Sequence, residues 1–99
     1  MQVEFATQRL KRLFTDHKLA AKQLGADVAR RYVGRIELLY ALPTFDEVRT
    51  APGLRCHLLE PKERGYWALN VTGRWRLTVQ PLREGHAVSI EDLTHHYGD

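Results

Sequence analysis

Apolar and polar residues alternate along residues 65–79, which is the pattern of β-strands with one buried face. The alternation predicts a strand over residues 66–71 and another over 74–80, joined at Thr72-Gly73 by a tight hairpin. The side chains expected on the core face are Trp67, Leu69, Val71, Trp75, Leu77 and Val79. Those left for the opposite face are Tyr66, Ala68, Asn70, Arg74, Arg76 and Thr78. The arginines on this second face need a physical explanation.

The same period of two predicts further strands in residues 1–6, 54–59 and 87–92. The core-facing side chains in the last two are expected to be Leu54, Cys56, Leu58, Val88 and Ile90. Arg55 and His57 are then left for the opposite face, because successive side chains of a strand point to opposite sides.

A period of three to four residues predicts two amphipathic helices before residue 43. The first follows Thr7, whose hydroxyl can cap it, and the second runs from about residue 26 to residue 42, where Pro43 stops it. The apolar stripes of the two helices are formed by Leu10, Leu13, Phe14, Val28, Tyr32, Ile36 and Leu39. Three arginines lie off the second stripe: Arg30, Arg31 and Arg35. Residues 44–53 are expected to form a short helical turn or loop.

The element order is therefore a strand, two helices and a run of antiparallel strands. Each helix must bury one apolar stripe, and the sheet has one apolar face on which to bury it. The prediction is an α+β two-layer sandwich in which the helices pack on one face of a mainly antiparallel sheet. The 99 residues are sufficient for one domain, residues 1–99, with one core. The second face of the sheet is left uncovered by helices.

The composition, 43% apolar and 27% charged residues, is that of a globular protein. The N-terminal residues lack the apolar stretch of a signal peptide, and no apolar run approaches the ~20 residues of a membrane span. The expectation is a soluble, cytoplasmic protein. Cys56 is the only cysteine, so no internal disulfide can form, and a buried apolar role is expected for it. The net charge of +3 is mildly basic and favours an anionic partner only weakly.

The uncovered sheet face and the C-terminus together collect arginine, histidine and tyrosine. In addition to the residues named above, Ser89 and Glu91 are expected on this face, followed by His95, His96 and Tyr97. Arginine binds phosphate through two hydrogen bonds, histidine and tyrosine transfer protons, and tyrosine stacks on unpaired bases. This set suits RNA chemistry, although a polar, solvated sheet face is the ordinary alternative. A metal site is disfavoured because the histidines at 95 and 96 are adjacent and the acidic residues are scattered.

Residues 52–79 read PGLRCHLLEPKERGYWALNVTGRWRLTV, and they are followed by an acidic last strand and a C-terminal His/Tyr cluster. This sequence resembles the HigB branch of the RelE/ParE toxin superfamily. The match is dense over residues 52–79, and over the rest of the chain it is one of element order. The resemblance implies a RelE-like fold and a ribosome-dependent mRNA endonuclease that inhibits translation. It also implies metal-free attack of the RNA 2′-oxygen on the adjacent phosphate, with no cofactor. The implied partners are the ribosome, mRNA and a HigA-like helix-turn-helix antitoxin, with no membrane.

The resemblance also implies roles for individual residues. His57 matches the family's catalytic histidine, Arg76 the phosphate-stabilising arginine, and Asp92 the aspartate of the terminal motif. The expected catalytic set is His57, Arg76, Asp92, His95, His96 and Tyr97. The expected RNA-binding set is Arg55, Lys62, Arg64, Tyr66 and Arg74.

The chain departs from the family pattern at two places. Glu60 stands where members often carry a lysine, and Lys62 follows two places later. The compact Asp-Tyr-His ending of many members is replaced by residues 92–97, DLTHHY.

Two other functions share this fold and remain open at the level of sequence. One is a ParE-like toxin that poisons DNA gyrase and has no nuclease site. The other is a degenerate member that only binds its antitoxin. The site residues His57 and Arg76 favour the nuclease.

Overall fold

The computed structural model describes residues 1–59 and 65–95 of the chain. Its strands are β1 (Gln2–Phe5), β2 (His57–Leu58), β3 (Trp67–Asn70), β4 (Trp75–Leu82) and β5 (Ala87–His95). Its α-helices are α1 (Gln8–Thr15), α2 (His17–Leu24), α3 (Ala26–Ala41) and α4 (Phe45–Thr50). The strands form one sheet in the order β1-β5-β4-β3-β2, in which β1 runs parallel to β5 and the other pairs are antiparallel. The predicted α+β sandwich with a mainly antiparallel sheet is confirmed.

The core lies between the helices and one face of the sheet. The helices contribute Leu10, Leu13, Ala20, Ala29, Tyr32, Ile36, Leu39, Phe45 and Val48, and the strands contribute Leu69, Leu77, Val79, Val88, Ile90 and Leu93. Val71 joins the core from the hairpin connection. Most of the predicted helix stripes are therefore confirmed. In α3, however, Ala29 is buried and Val28 is only half-buried. The Tyr32 hydroxyl satisfies its hydrogen-bonding capacity inside the core by donating to the Leu10 carbonyl at 2.7 Å.

The helix over residues 17–24 was not predicted, whereas the short helical turn expected within residues 44–53 is confirmed as α4. Asp16 ends α1 and caps α2, since its carboxylate accepts a hydrogen bond from the Leu19 amide at 3.1 Å. Thr44 caps α4 in a capping box with Glu47. Both helices are short, so their apolar periodicity is weak, and their caps are the stronger sequence signal.

The predicted hairpin is confirmed in its register and corrected in its turn. Trp67 pairs with Val79 across β3 and β4, which places both tryptophans on the helix-facing side. The strands stop at Asn70 and resume at Trp75, so the connection is longer than Thr72-Gly73. Arg74 consequently lies in the turn and not on a strand.

The predicted strand over residues 54–59 is reduced to His57–Leu58. Arg55 has φ 49°, in the left-handed region, and an extended strand cannot pass through that conformation. Leu54 is still buried, but Leu58 is 50% exposed and not core-facing as expected. The change of backbone direction at Arg55 thus separates Leu54 in the core from the two-residue strand at the sheet edge.

The last strand runs to His95 instead of ending at residue 92, and it contains a β-bulge. Thr78 pairs with Asp92, whereas the next residue of β4, Val79, pairs with Ile90. Glu91 is therefore the extra residue, and Leu93 returns to the core face beyond it. Because of the bulge, it is Asp92, and not Glu91 as expected, that shares a face with Thr78. Ser89 is 7% exposed and so does not line an open surface.

Candidate functional site: the outer sheet face

The sheet face opposite the helices, called the outer face below, carries a row of directly paired residues. His57 pairs with Ala68, Ala68 with Thr78, and Thr78 with Asp92. Paired residues of antiparallel strands share a face, so His57 and Asp92 lie at the two ends of one row. Both end residues are exposed, whereas Ala68 between them is 1% exposed. The row thus presents an imidazole at one end and a carboxylate at the other.

A second row on the outer face contains Asn70, Arg76 and Thr94, which are paired in that order. Arg76 is separated from His57 by two strand spacings of about 4.8 Å across the sheet and by two residues, about 7 Å, along it. Their Cα atoms are therefore roughly 12 Å apart, a distance over which two long side chains can reach a common phosphate from opposite sides.

Among the residues that the structure describes, no carboxylate pairs with Arg76. Within residues 1–59 and 65–95, the ion pairs join Arg30 and Arg31 to Asp27, Arg49 to Asp46, and Arg83 to Glu4. None of them involves Arg55, Arg74 or Arg76. A half-buried guanidinium without a carboxylate partner is suited to bind an anion that arrives from outside.

The tautomer of the neutral His57 imidazole follows from its backbone neighbour. Its Nδ1 lies 3.0 Å from the carbonyl oxygen of Arg55. A carbonyl only accepts hydrogen bonds, so Nδ1 carries the proton and donates it. In the neutral imidazole, the lone pair then lies on Nε2. That is the arrangement of a general base.

His95 lies on the opposite side of the sheet from His57 and Arg76. It pairs directly with Trp75, which belongs to the helix-facing set of β4, and the two rings stack with centroids 5.0 Å apart and planes at 24°. The prediction grouped His95 with the outer-face residues, and the bulge in β5 is the reason that it does not join them.

The other predicted site residues fall into two groups. Arg55 is exposed, Tyr66 is half-buried just before β3, and Arg74 is exposed in the hairpin turn. The remaining positions of interest lie outside the described residues: Glu60, Lys62, Arg64, His96 and Tyr97. In the part of the chain that the structure describes, no three His, Cys, Asp or Glu side chains come together as a group of metal ligands.

Cys56 behaves as a structural thiol. It is half-buried, and burial raises the pKa of its thiol to about 11, with a smaller opposing effect from the positive charge of Arg49. The thiolate, which is the nucleophilic form, is therefore scarce at neutral pH.

Sequence reasoning missed the role of Arg35 on α3. Its Nε donates to the main-chain carbonyl of Asn70 at 2.7 Å, so it contacts the strand next to Arg76. Burial, and secondarily the charge of Arg31, lowers the pKa of the Arg35 guanidinium. The available signal was its position beside Ile36, at the margin of the apolar stripe, where an arginine can reach the sheet edge.

Similar solved structures share the fold over nearly the whole chain. A YoeB/ParE toxin from Agrobacterium tumefaciens superposes with a TM-score of 0.64 at 15% identity, covering 98% of this chain and 100% of the other. A YafQ variant from E. coli superposes with a TM-score of 0.63 at 20% identity, covering 98% of both chains. The YoeB–YefM complex from Staphylococcus aureus gives a TM-score of 0.55 at 18% identity, also covering 98% of both chains. The fold is thus that of RelE-like toxins.

The sequence identifies the family more narrowly than the fold does. Residues 3–94 match the profile of the HigB-like toxins, described as RelE-like toxins of the type II toxin–antitoxin system HigB. The chain therefore belongs to the HigB-like toxin family, which confirms the resemblance seen in residues 52–79. No curated protein matches the sequence.

Proposed function

We propose that this HigB-like toxin is an endoribonuclease that cleaves mRNA on the ribosome, with the outer sheet face as its active site. The observation that carries the proposal is the pairing of functions on that face. The lone pair of the neutral His57 ring lies on Nε2 because Nδ1 donates to the Arg55 carbonyl, and Arg76 on the same face has no carboxylate partner among the described residues. One residue can accept a proton while the other stabilises negative charge on phosphate.

The reaction begins when the RNA 2′-oxygen attacks the adjacent phosphorus. His57 Nε2 takes the 2′-hydroxyl proton as this bond forms, and the guanidinium of Arg76 binds the non-bridging oxygens, whose negative charge increases in the transition state. The bond from phosphorus to the 5′-oxygen then breaks, which leaves a 2′,3′-cyclic phosphate and a 5′-oxygen that must be protonated. Asp92 on the same face is the candidate for that proton transfer among the described residues, and His96 and Tyr97 are the further predicted candidates. His95, also predicted, lies on the opposite side of the sheet. The chemistry requires a 2′-hydroxyl and therefore selects RNA over DNA.

The proposed partner is a cognate antitoxin, which we expect to be a HigA-like helix-turn-helix protein. Two structures that share this fold are toxin–antitoxin complexes, DinJ–YafQ from E. coli and YoeB–YefM from S. aureus. These complexes support an antitoxin partner in general, whereas the helix-turn-helix type rests on the sequence resemblance. Ribosome dependence places the protein in the cytoplasm. No helix in the described ranges is long and apolar enough to cross a bilayer.

The test is the cleavage of mRNA on programmed ribosomes by His57→Ala and Arg76→Ala, measured beside toxicity in growing cells. We expect Arg76→Ala to lower the cleavage rate about 10²–10³-fold, the loss typical of one transition-state donor. We expect His57→Ala to lower it ~10²–10⁴-fold, as for a general base. His86→Ala is the matched control, because His86 is exposed and lies in the connection between β4 and β5. If both site variants were folded and fully toxic, the nuclease assignment would be wrong and gyrase binding would take its place.

A further inference from the structure

Three parts of the candidate site meet at the main chain of Asn70. Its side chain belongs to the cross-strand pair with Arg76. Its amide donates to the carbonyl of Leu54 at 2.7 Å, in the segment that leads to His57. Its carbonyl accepts the hydrogen bond from Arg35 Nε, also at 2.7 Å. One peptide position thereby connects β4, the segment before β2 and helix α3.

The geometry of the hairpin explains why the Asn70 main chain is available. Val71 donates to the Trp75 carbonyl at 2.9 Å, so residues 71 and 75 form a hydrogen-bonded pair. Such pairs alternate with non-hydrogen-bonded pairs in an antiparallel ladder, so the main-chain groups of Asn70 point away from β4. β2 pairs only with residues 67 and 68 and does not reach Asn70. The Leu54 carbonyl and the Arg35 guanidinium take the place of the missing strand.

Arg35 is well suited to hold this position. It projects from α3, the longest helix, whose Tyr32, Ile36 and Leu39 are buried in the core. Its planar guanidinium donates in a fixed direction, and a hydrogen bond from a charged donor is stronger than one between neutral groups. Half-burial separates this bond from water, so it competes less with solvent than a surface contact does.

We propose that Arg35 is a positioning residue of the active site: through the main chain of Asn70 it holds the His57 segment and the Arg76 strand at a fixed separation. This inference rests on the proposed nuclease function and adds a residue that does not touch RNA. A displacement of about 1 Å between reacting groups can slow an enzyme ~10²-fold. A contact that fixes the position of these groups can therefore affect the rate without touching RNA.

The test compares Arg35→Gln with Arg35→Met. The glutamine amide nitrogen occupies the position along the side chain that Nε has in arginine, whereas methionine has a methyl group there, and both variants lose the charge. We expect Arg35→Met to lower kcat about 10–100-fold with the KM for ribosome-bound mRNA unchanged. We expect Arg35→Gln to stay within about threefold of the wild type in both parameters. Equal losses in the two variants would overturn the inference, because loss of the charge would then explain the effect. No loss in Arg35→Met would also overturn it, because the hydrogen bond to Asn70 would then not affect the rate.

Arg30→Met is the matched control on the same helix. The Arg30 side chain is 73% exposed and pairs with Asp27, so its removal costs the same charge without a contact to the sheet. We expect its kcat to equal that of the wild type.

Amide hydrogen exchange gives a readout that does not depend on cleavage. In Arg35→Met the Asn70 amide should exchange faster than in the wild type, while the amides between β1 and β5 keep their protection and show that the chain is folded. If the wild-type chain cleaved no ribosome-bound mRNA, the proposed function would fail on its own. Amide exchange alone would then test the positioning contact, and an unchanged exchange rate at Asn70 in Arg35→Met would overturn it.

Discussion

At the residue scale, His57 depends on the backbone two positions before it. Arg55 adopts φ 49°, and its carbonyl holds the Nδ1 proton of the imidazole. Left-handed backbone is costly for residues other than glycine and clusters at functional sites, so this conformation and the proposed role of His57 support each other. We therefore propose that Arg55 acts through its main chain, which orients His57, as well as through the RNA-binding side chain predicted from sequence.

A pair of substitutions separates the two contributions of Arg55. Arg55→Gly removes the side chain but accepts the left-handed backbone, so kcat should hold while the KM for ribosome-bound mRNA rises. Arg55→Val removes the same side chain and cannot easily adopt that backbone, so we expect it to lose about 1–3 kcal/mol of stability relative to Arg55→Gly. Urea denaturation and cleavage kinetics are the measurements. Equal stability of the two variants would contradict the role assigned to the backbone.

At the element scale, the bulge at Glu91 shifts by one residue which side chains of β5 face the helices. Before the bulge at Glu91, Val88 and Ile90 face the helices, and beyond it Leu93 does so while Asp92 faces outward. A strand without the bulge would put Asp92 in the core and Leu93 outside, because side chains alternate with a period of two. The bulge therefore brings the carboxylate of Asp92 into the row that His57 begins.

Two leucines test the observed strand register. Leu77 on β4 is fully buried, whereas Leu58 on β2 is 50% exposed, although the sequence pattern placed both in the core. We expect Leu77→Ala to lower the free energy of unfolding by about 2–5 kcal/mol and Leu58→Ala by no more than about 1 kcal/mol. Chemical denaturation of both variants decides this. A loss at Leu58 as large as that at Leu77 would restore the longer strand over residues 54–59.

At the scale of the whole molecule, the sandwich separates stability from the proposed chemistry. The helices and the inward strand residues form one core, while His57, Arg76 and Asp92 lie on the face turned away from it. The outer-face residues can therefore be replaced without opening the core, which makes loss of activity and loss of folding separable in experiments.

The nature of these groups also leads to a prediction about metal ions. An imidazole for proton transfer and a guanidinium for charge leave no step that requires a metal, so cleavage should be metal-independent. An mRNA with a phosphorothioate at the cleavage site should be cut more slowly, because sulfur replaces an oxygen that we propose Arg76 binds, and added Cd²⁺ should not restore the rate. Rescue by Cd²⁺, which binds sulfur well, would show a metal at the phosphate and contradict the mechanism. Ribosomes remain intact in Mg²⁺ throughout this assay.

The sequence alone predicted features that local chemistry decides. The inward set of the hairpin, including Trp67 and Trp75, follows from alternation, since a one-residue shift would expose every apolar side chain. The main helices follow from periodicity and from Thr7 and Pro43 as their limits. The family follows from residues 52–79, where the motif is dense, and with it came His57 and Arg76 as the central pair.

Only the tertiary structure decided the features that join distant segments. The left-handed conformation of Arg55 is imposed where Leu54 enters the core and its carbonyl meets Asn70, sixteen positions along the chain. The bulge at Glu91 lies just beyond the residues of β5 that pair with β1, and it moves His95 to the helix side. The bond from Arg35 crosses from α3 to the sheet edge over a sequence separation of 35. None of these three features has a local sequence signature, because each depends on which strand or segment lies beside the residue in the fold. The sequence pattern around a residue reflects only the preferences of the side chains there.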